Sequence, residues 1–209
     1  MIRTADDGAL RILTLDRAEK ANAVTAEMLR ALAEAAEMAS EDMLAGRGAR
    51  GLVITGAGTV FSAGMDLDAA KAGLATSPLW ERVSGAVAAH PGLTIAALNG
   101  TLAGGAMGMA LACDLRIAVP GAKLFYPVMK MGFLPQPSDP GRLKALVGPS
   151  RARLLLMAGA KITVEEAQGW GLIDRIVAPD ALMDTARDLA ADVAAAEPRH
   201  AQAIKAMIG

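Results

Sequence analysis

Short apolar segments alternate along the chain with longer segments in which apolar residues recur at helical spacing. Residues 10–16 alternate apolar and polar side chains, which is typical of a β-strand with one buried face. The whole pattern predicts strands at 10–16, 52–56, 93–98 and 115–119, and extended segments at 123–127 and 173–177. It predicts helices at 25–43, 68–89, 142–157, 163–170, 180–196 and 197–209. Strands that alternate with helices indicate an α/β fold with a largely parallel sheet.

Local signals refine several of these elements. Thr25 and Thr163 stand where helices begin, and acidic residues follow each of them in the first turn, so we expect both threonines to be N-caps. The helices at 68–89 and 142–157 are expected to break near Ser77-Pro78 and Gly148-Pro149.

The stretch 99–114 follows the apolar strand at 93–98 and carries no charge until its last residue. Within it, Gly104 and Gly105 stand where the small apolar run begins, which predicts a buried helix whose first turn lies against another molecule or a bulky group. The Gly105 N–H, unpaired in the first turn, could donate to a carbonyl oxygen and so form half of an oxyanion hole. Close packing of the helix on the sheet is the simpler alternative for the glycines.

A second glycine-containing turn, at 56–67, also joins a strand to a helix. Gly56 and Gly58 lack the third glycine of a dinucleotide-binding fingerprint, because Phe61 occupies its place, so we discount a nicotinamide site. Asp66 and Asp68 have no accompanying cluster of His or Glu residues, and we interpret them as charges at a helix N-terminus rather than metal ligands.

The composition excludes several classes of protein. The chain is 53% hydrophobic and 3% aromatic, which predicts an aliphatic core, and its net charge of −1 gives nucleic acid no basic surface to bind. No uninterrupted apolar run reaches the roughly 18 residues of a membrane span, and residues 1–7 do not resemble a signal peptide. The single cysteine, Cys113, is predicted to be a buried and inert thiol, in keeping with a cytoplasmic location.

Three further features have modest signals. His90, next to Pro91, is interpreted as a surface turn residue. Residues 80–82 are expected to lie on a solvated helix face in preference to a pocket mouth. The loop at 132–141 contains three prolines, which stiffen it, and rigid loops often carry functional residues.

Three segments of the sequence together resemble one protein family. Residues 16–23 are D-R-A-E-K-A-N-A, residues 54–67 contain I-T-G-A-G and F-S-A-G-M-D-L, and residues 99–114 begin with N-G, contain G-G and end with C-D. They resemble the N-R-P-x-x-x-N-A, T-G-x-G-x-x-F-S-A-G-x-D-L and N-G-x-x-x-G-G-G-x-x-L-x-x-x-C-D segments of the enoyl-CoA hydratase/isomerase (crotonase) superfamily. The resemblance runs from Leu10 to about Lys205.

The resemblance implies a crotonase-like spiral of ββα units with C-terminal helices. We expect residues 1–190 to form the spiral core and 191–209 a shortened C-terminal helical segment. It also implies an acyl-CoA substrate, no separate cofactor because coenzyme A is part of that substrate, no nucleic-acid or membrane partner, and a homotrimer or a dimer of trimers.

The same resemblance assigns site residues. The backbone N–H groups of Met65 and Gly105 would form the oxyanion hole that holds the thioester carbonyl and the enolate formed from it. The positions implied along the substrate are Lys20, Ala21, Ala23, Ala63, Asp66, Leu67, Gly104, Pro127 and Val128.

The chain departs from the family where proton transfer is concerned. The two glutamates of the hydratases fall on Gly108 and Val128, and neither residue can move a proton. The sequence position at which some isomerases of the family have an acidic residue aligns with Gln136. A glutamine could provide a polar contact, but it is not a base. Asp139 is the nearest carboxylate and would be the base if its loop turns inward, with Tyr126 as the other proton-bearing candidate.

Two functions follow from these departures, and both keep the acyl-CoA substrate. The first is an isomerase-type enzyme, because moving a double bond needs only one base whereas hydration uses the glutamate pair. The second is an acyl-CoA-binding protein with little or no catalytic activity. A nucleotide site at residues 56–58 is a third alternative, and Ala106, at the position of the nucleophile in serine protease relatives, excludes a serine hydrolase.

Overall fold

The computed structural model describes residues 1–208, which form two β-sheets and the helices around them. The strands are β1 (Ile2–Asp7), β2 (Leu10–Leu15), β3 (Gly51–Gly56), β4 (Val60–Ser62), β5 (Leu93–Leu98), β6 (Thr101–Ala103), β7 (Leu115–Ala118), β8 (Lys123–Phe125), β9 (Lys161–Thr163) and β10 (Arg175–Ile176). The α-helices are α1 (Ala26–Leu44), α2 (Leu67–Lys71), α3 (Leu79–Ala88), α4 (Met107–Leu111), α5 (Val128–Met131), α6 (Asp139–Leu156), α7 (Val164–Gly169), α8 (Leu182–Ala195) and α9 (Pro198–Ile208).

The larger sheet has six strands in the order β1-β2-β3-β5-β7-β10, and the smaller has four in the order β4-β6-β8-β9. Strands β2, β3, β5, β7 and β10 pair in parallel, and only β1 is antiparallel to its neighbour. In the smaller sheet β4, β6 and β8 are parallel, while β9 is antiparallel to β8. The predicted α/β class with a largely parallel sheet is confirmed.

Successive pairs of strands divide between the two sheets. Strands β3 and β4, then β5 and β6, then β7 and β8 each give their first strand to the larger sheet and their second to the smaller one. Helical segments follow each pair, so the chain winds as a spiral of ββα units, as predicted. Each turn of the spiral therefore brings a strand-to-helix connection to the same side of the smaller sheet.

Both predicted helix caps are present. The Thr25 side chain accepts a hydrogen bond from the Met28 N–H at the start of α1. Thr163 and Glu166 form a reciprocal capping box at the start of α7. The predicted interruption of the helix at 142–157 is also confirmed, because Gly148 has a non-helical φ of 79° inside α6, next to Pro149.

Several elements differ from the sequence prediction. Strands β1, β4, β6 and β9 were not predicted. The break expected near Ser77-Pro78 is present but wider, because residues 72–78 separate α2 from α3. Helix α6 begins at Asp139, three residues before the predicted start. The predicted domain division after residue 190 stays a prediction, and that position lies inside α8.

His90 is buried, which corrects its interpretation as a surface turn residue. Its ring is 1% exposed, and Nδ1 lies 3.1 Å from the Ser40 hydroxyl of α1. Burial lowers the pKa of His90 to about 4, and the nearby Lys205 ammonium adds to this effect. The residue is therefore neutral at physiological pH. The sequence prediction failed because His90 follows α3, whose C-terminal end packs on α1.

Cys113 is buried, as predicted, within a core of aliphatic side chains. Burial raises the pKa of its thiol to about 12, so the reactive thiolate is not formed at neutral pH. Among the described residues, no helix is both long and apolar enough to cross a membrane.

Candidate active site

A pocket of about 260 Å³ opens where several chain segments meet. The principal segments are the connection from β4 to α2, the turn from β6 to α4, and the stretch from Tyr126 to Gln136, and residues between α2 and the start of α3 complete the wall. Met65 and Gly105 both line this pocket, and the other predicted site residues in its wall are Ala63, Leu67, Gly104, Pro127, Val128 and Gln136. The first two segments are the turns singled out from the sequence.

The two glycine turns touch each other in the wall of the pocket. A Cβ atom added at Gly64 would lie 2.8 Å from the Ala103 carbonyl oxygen and 3.2 Å from Gly104 Cα. Gly64 and Gly104 also have φ values of 91° and 58°, which other residues rarely adopt. Both positions therefore require glycine, and the peptide groups that follow them, 64–65 and 104–105, lie side by side.

The amides of Met65 and Gly105 are free to bind a ligand. Val24 pairs with the Met65 strand through the Gly64 carbonyl and the Asp66 N–H, which leaves the Met65 N–H on the opposite side. The Gly105 N–H lies in the first helical turn, where intrahelical acceptors are lacking. Within residues 1–208, neither amide donates to a protein acceptor.

Trp80 forms part of the pocket wall, which corrects its placement on a solvated helix face. The residue is 4% exposed, and its indole N–H donates to the Leu74 carbonyl oxygen at 2.9 Å. A Cβ at Gly105 would come within 3.1 Å of the Trp80 ring, so the glycine admits the ring against the helical turn. Arg82, two residues on, does lie on the exposed face, where it pairs with Glu37.

Asp139 is fully buried behind the pocket, at the start of α6. Its side-chain Oδ2 accepts a hydrogen bond of 2.8 Å from the Tyr126 hydroxyl, which in turn accepts one of 3.3 Å from the Gln136 N–H. Oδ1 has no hydrogen-bond partner among the described residues. The loop thus turns Asp139 inward, but Tyr126 lines the pocket and Asp139 does not.

Gly108 supplies the space that the Asp139 carboxyl occupies. A Cβ at Gly108 would lie 2.8 Å from Oδ1 and 3.1 Å from Oδ2 of Asp139. The carboxyl therefore lies against the position on α4 to which the family resemblance assigns a glutamate. The carboxyl at this position therefore comes from α6 and not from α4.

Burial shifts the pKa values of both Asp139 and Tyr126. It raises the pKa of Asp139 to about 6, while the Tyr126 hydroxyl and Arg142 act in the opposite direction. Burial also raises the pKa of Tyr126, and the adjacent Asp139 raises it further. The pair therefore consists of a neutral phenol and a carboxylate that takes up a proton near pH 6.

Glu81 of α3 holds the proline-containing loop in this position. Its carboxylate accepts hydrogen bonds from the N–H and the hydroxyl of Ser138, the residue before Asp139. Pro140 stands in the first turn of α6, where its missing N–H is not needed. The carboxylate of α3 and the proline of α6 together fix the helix start that orients Asp139.

The remaining predicted positions lie outside the pocket wall. Asp66 caps α2 and pairs with Arg17, whose guanidinium also donates to the Ala23 carbonyl oxygen. The Ala21 carbonyl oxygen accepts from the N–H of Ala63, which does line the pocket, and Lys20 is exposed. The placement of Asp66 agrees with its interpretation as a helix N-terminal charge.

Comparison with known proteins identifies the family. The sequence model described as enoyl-CoA hydratase/isomerase matches residues 6–208. The chain belongs to this family. The carnitinyl-CoA dehydratase of Salmonella arizonae is 36% identical over 214 residues, which cover 98% of this chain and 78% of the relative.

Solved structures of the enoyl-CoA hydratase/isomerase family show the same fold. The enoyl-CoA hydratase of Bacillus anthracis has a TM-score of 0.90 at 28% identity, over 99% of this chain and 81% of that one. The enoyl-CoA hydratase/isomerase of Pseudoalteromonas atlantica has a TM-score of 0.89 at 28% identity, over 99% and 82%. The crotonase-like fold predicted from the sequence is confirmed.

Trp80 and Tyr126 both line the pocket, although little in the sequence indicated it. Trp80 was assigned to solvent, and Tyr126 was ranked behind Asp139 as a proton carrier. The sequence marks both residues only weakly, because each is an isolated aromatic side chain and no motif surrounds it. Only the packing of α3 and β8 around the glycine turns shows that they face the same space.

Proposed function

We propose that this chain binds an acyl-CoA thioester and stabilises its enolate with the N–H groups of Met65 and Gly105. The observation that supports this most directly is the contact between Gly64 and Gly104, with a free amide immediately after each. A thioester oxygen that accepts from both amides gains most when it becomes negatively charged. The name of the Salmonella arizonae relative, a dehydratase of carnitinyl-CoA, supports a substrate linked to coenzyme A.

We favour isomerisation of an enoyl-CoA over hydration. Hydration requires one group to activate water and another to deliver a proton, and the two glutamate positions are Gly108 and Val128. Moving a double bond requires that one group remove a proton and return it to another carbon. Asp139 is the buried carboxylate beside this pocket, with Gln136 as a polar contact in the wall.

The binding part of the proposal can be tested by changing the ligand, since a side-chain substitution cannot delete a backbone donor. Butanoyl-CoA is compared by calorimetry with S-butyl-CoA, a thioether of the same chain without the carbonyl oxygen. We expect the thioester to bind about tenfold more tightly, as two modest hydrogen bonds would give. Equal affinities would show that no donor engages the carbonyl and would overturn the oxyanion assignment.

The reaction is tested with 3-hexenoyl-CoA and 2-hexenoyl-CoA, by following double-bond migration and water addition separately. We expect conversion of the 3-enoyl to the 2-enoyl thioester, and a loss of at least a hundredfold in Asp139→Asn. Hydration that exceeds isomerisation would contradict the proposal.

A second candidate function is an acyl-CoA-binding protein with little or no catalytic activity. It is favoured by the position of Asp139, which lies behind Tyr126 and not in the pocket wall. Thioester binding without turnover of either substrate would support it.

We also propose that the chain assembles as a trimer or a dimer of trimers, as its family resemblance implies. Helix α9 supports self-association, because Met207 and Ile208 are 86% and 82% exposed and apolar. Light scattering on the purified chain gives the mass directly. A monomer at all protein concentrations up to 100 μM would refute this proposal.

A further inference from the structure

None of the described residues that line the pocket has a charged side chain. Of the residues that line it, only Tyr126 carries a proton that it can exchange as an acid or base. Asp139 is fully buried, and its carboxylate accepts a hydrogen bond from the Tyr126 hydroxyl, which links it to the pocket wall. An enolate mechanism in this pocket must therefore use Tyr126, or else move Asp139 past it.

We propose that Tyr126 is the residue that exchanges protons with the bound thioester, and that Asp139 acts through it by accepting and returning the phenolic proton. This inference rests on the proposed function, because it assumes an acyl-CoA held by the amides of Met65 and Gly105. In this proposal Tyr126, and not Asp139, removes the proton from the thioester.

The hydrogen bonding of Tyr126 suits this role. A hydroxyl has one donor and two acceptor sites. Its proton goes to Oδ2 of Asp139, and one acceptor site takes the Gln136 N–H. One lone pair therefore remains on the phenolic oxygen. The Gln136 contact also fixes the oxygen, so the lone pair is positioned in advance of binding.

The transfer balances in protons and charge. The C–H bond beside the double bond breaks, its proton joins the phenolic oxygen, and its electron pair becomes the enolate held at the two amides. In the same step the phenolic proton moves to Oδ2, and the carboxylate becomes a neutral acid. In the return step Asp139 gives that proton back to the oxygen, while the proton on the phenol passes to the other carbon. No oxidant or additional reactant is required.

The surroundings of Asp139 suit a group that changes its protonation during each cycle. Gly108 of α4 presents only backbone to Oδ1, Arg142 lies on the same helix, and Glu81 approaches from α3. Arg142 lowers and Glu81 raises the pKa of Asp139, and burial raises it more than either residue does. The carboxylate is thus ionised above about pH 6 and neutralised readily.

The test is exchange of the α-protons of saturated acyl-CoA thioesters in D₂O, followed by NMR, with chains from acetyl to octanoyl. Exchange needs only the enolate and one base, so it isolates the step. We expect the unmodified chain to exchange deuterium with a rate that falls about tenfold per pH unit below pH 6. Tyr126→Phe and Asp139→Asn should each lose at least a hundredfold, with acyl-CoA dissociation constants within threefold.

The matched control is Asp114→Asn, which changes another partly buried carboxylate that also accepts hydrogen bonds, from Thr94 and Lys205. It lies away from the pocket and should keep the exchange rate. Exchange that persists in Tyr126→Phe but is lost in Asp139→Asn would overturn the relay and leave the proposed function intact. Failure of the unmodified chain to exchange any thioester that it binds would instead refute enolate formation itself. A full rate in both variants would remove the pair from the chemistry.

Discussion

Gly108 and Asp139 share one small volume of the interior, although they belong to different helices. A Cβ at position 108 would lie 2.8 Å from Oδ1 of Asp139, which is closer than the two atoms can approach. A side chain at 108 and the carboxyl of Asp139 in its present position therefore exclude each other unless one of them shifts. The glycine at 108 leaves the space on α4 into which the acid of α6 extends.

This exclusion predicts the behaviour of Gly108→Ala. The new methyl would lie 2.8 Å from Oδ1, so the carboxyl or the helix must shift. We expect a loss of about 1–3 kcal/mol in the free energy of unfolding, measured in urea at pH 7. In an Asp139→Ala background the same methyl enters vacated space, so the two losses should not add. Strict additivity would show that the helices already leave room.

Asp139→Asn should change how stability depends on pH. The carboxyl has a pKa near 3.8 when unfolded and about 6 when folded, so the native state must ionise a buried acid as the pH rises. The unmodified chain therefore loses stability between pH 4 and pH 6, and the amide does not. We expect the stability of the variant, relative to the unmodified chain, to rise by roughly 2 kcal/mol from pH 4.5 to 7.5.

Urea unfolding at the two pH values measures this difference. Asp114→Asn is again the matched control, because its carboxylate is partly exposed and paired with Lys205. A difference that is the same at both pH values would mean that Asp139 ionises in the native state as it does in water.

The sequence could predict residues of this site but not their contacts. Asp139 and Tyr126 were both candidates, because each carries a proton near the resembling segments. Their hydrogen bond joins the end of β8 to the start of α6, and nothing in the local pattern encodes it. The Gly105 amide was predicted from its glycine turn, because turn chemistry is local. The Met65 amide was implied only by the family resemblance.

At the scale of elements, the predictions that depend on local sequence were confirmed, and the strands that depend on pairing with distant segments were missed. Helices α1 and α7 begin where Thr25 and Thr163 predicted, since a cap depends on residues within one turn. Strands β4 and β6 have three residues each and exist through pairing with distant strands. A pattern of period two needs more residues than that to be recognised.

His90 links two helices, because it follows the end of α3 and forms a hydrogen bond with Ser40 of α1. Its pKa is about 4 in the folded chain, below its usual value of 6.5, so the unfolded chain binds a proton first as the pH falls. The unmodified chain should lose roughly 2 kcal/mol of stability from this residue between pH 7.5 and 4.5.

His90→Phe tests this, because the ring size is similar and the charge is gone. We expect the variant to be less stable at pH 7.5, where the Ser40 contact is lost, and to recover relative to the unmodified chain at pH 4.5. His200→Phe is the control, since His200 is exposed. Parallel pH profiles for the unmodified chain and His90→Phe would contradict a buried neutral histidine.

At the scale of the whole molecule, the spiral assembles the pocket from connections that are far apart in sequence. Residues 64–65, 104–105 and 126–139 meet because successive turns of the spiral place their strand ends side by side. The family resemblance predicted this meeting, whereas composition and periodicity indicated only the α/β class.

None of the residues 198–208 of helix α9 is fully buried. A second pocket, of about 610 Å³, is lined by residues of α8 and α9 and by the N-terminal ends of β5 and β7. Across it, the Lys205 ammonium donates to the Gly92 carbonyl oxygen at 3.0 Å and to Asp114 at 2.7 Å. Asp114 also accepts from the N–H and the hydroxyl of Thr94, so its carboxylate is fixed before Lys205 binds.

Lys205→Met should therefore loosen α9 without unfolding the spiral. The methionine keeps most of the apolar stem but loses a charge-assisted contact, which contributes on the order of 1 kcal/mol when partly exposed. We expect amide hydrogen exchange in 198–208 to accelerate roughly five- to tenfold, while exchange in β3 and β5 is unchanged. Arg199→Met, which removes an exposed cation from the same helix, should leave the rate as it was. Equal protection of α9 in both variants would mean that apolar contacts alone hold the helix, and the Lys205 pair would then contribute nothing to its position.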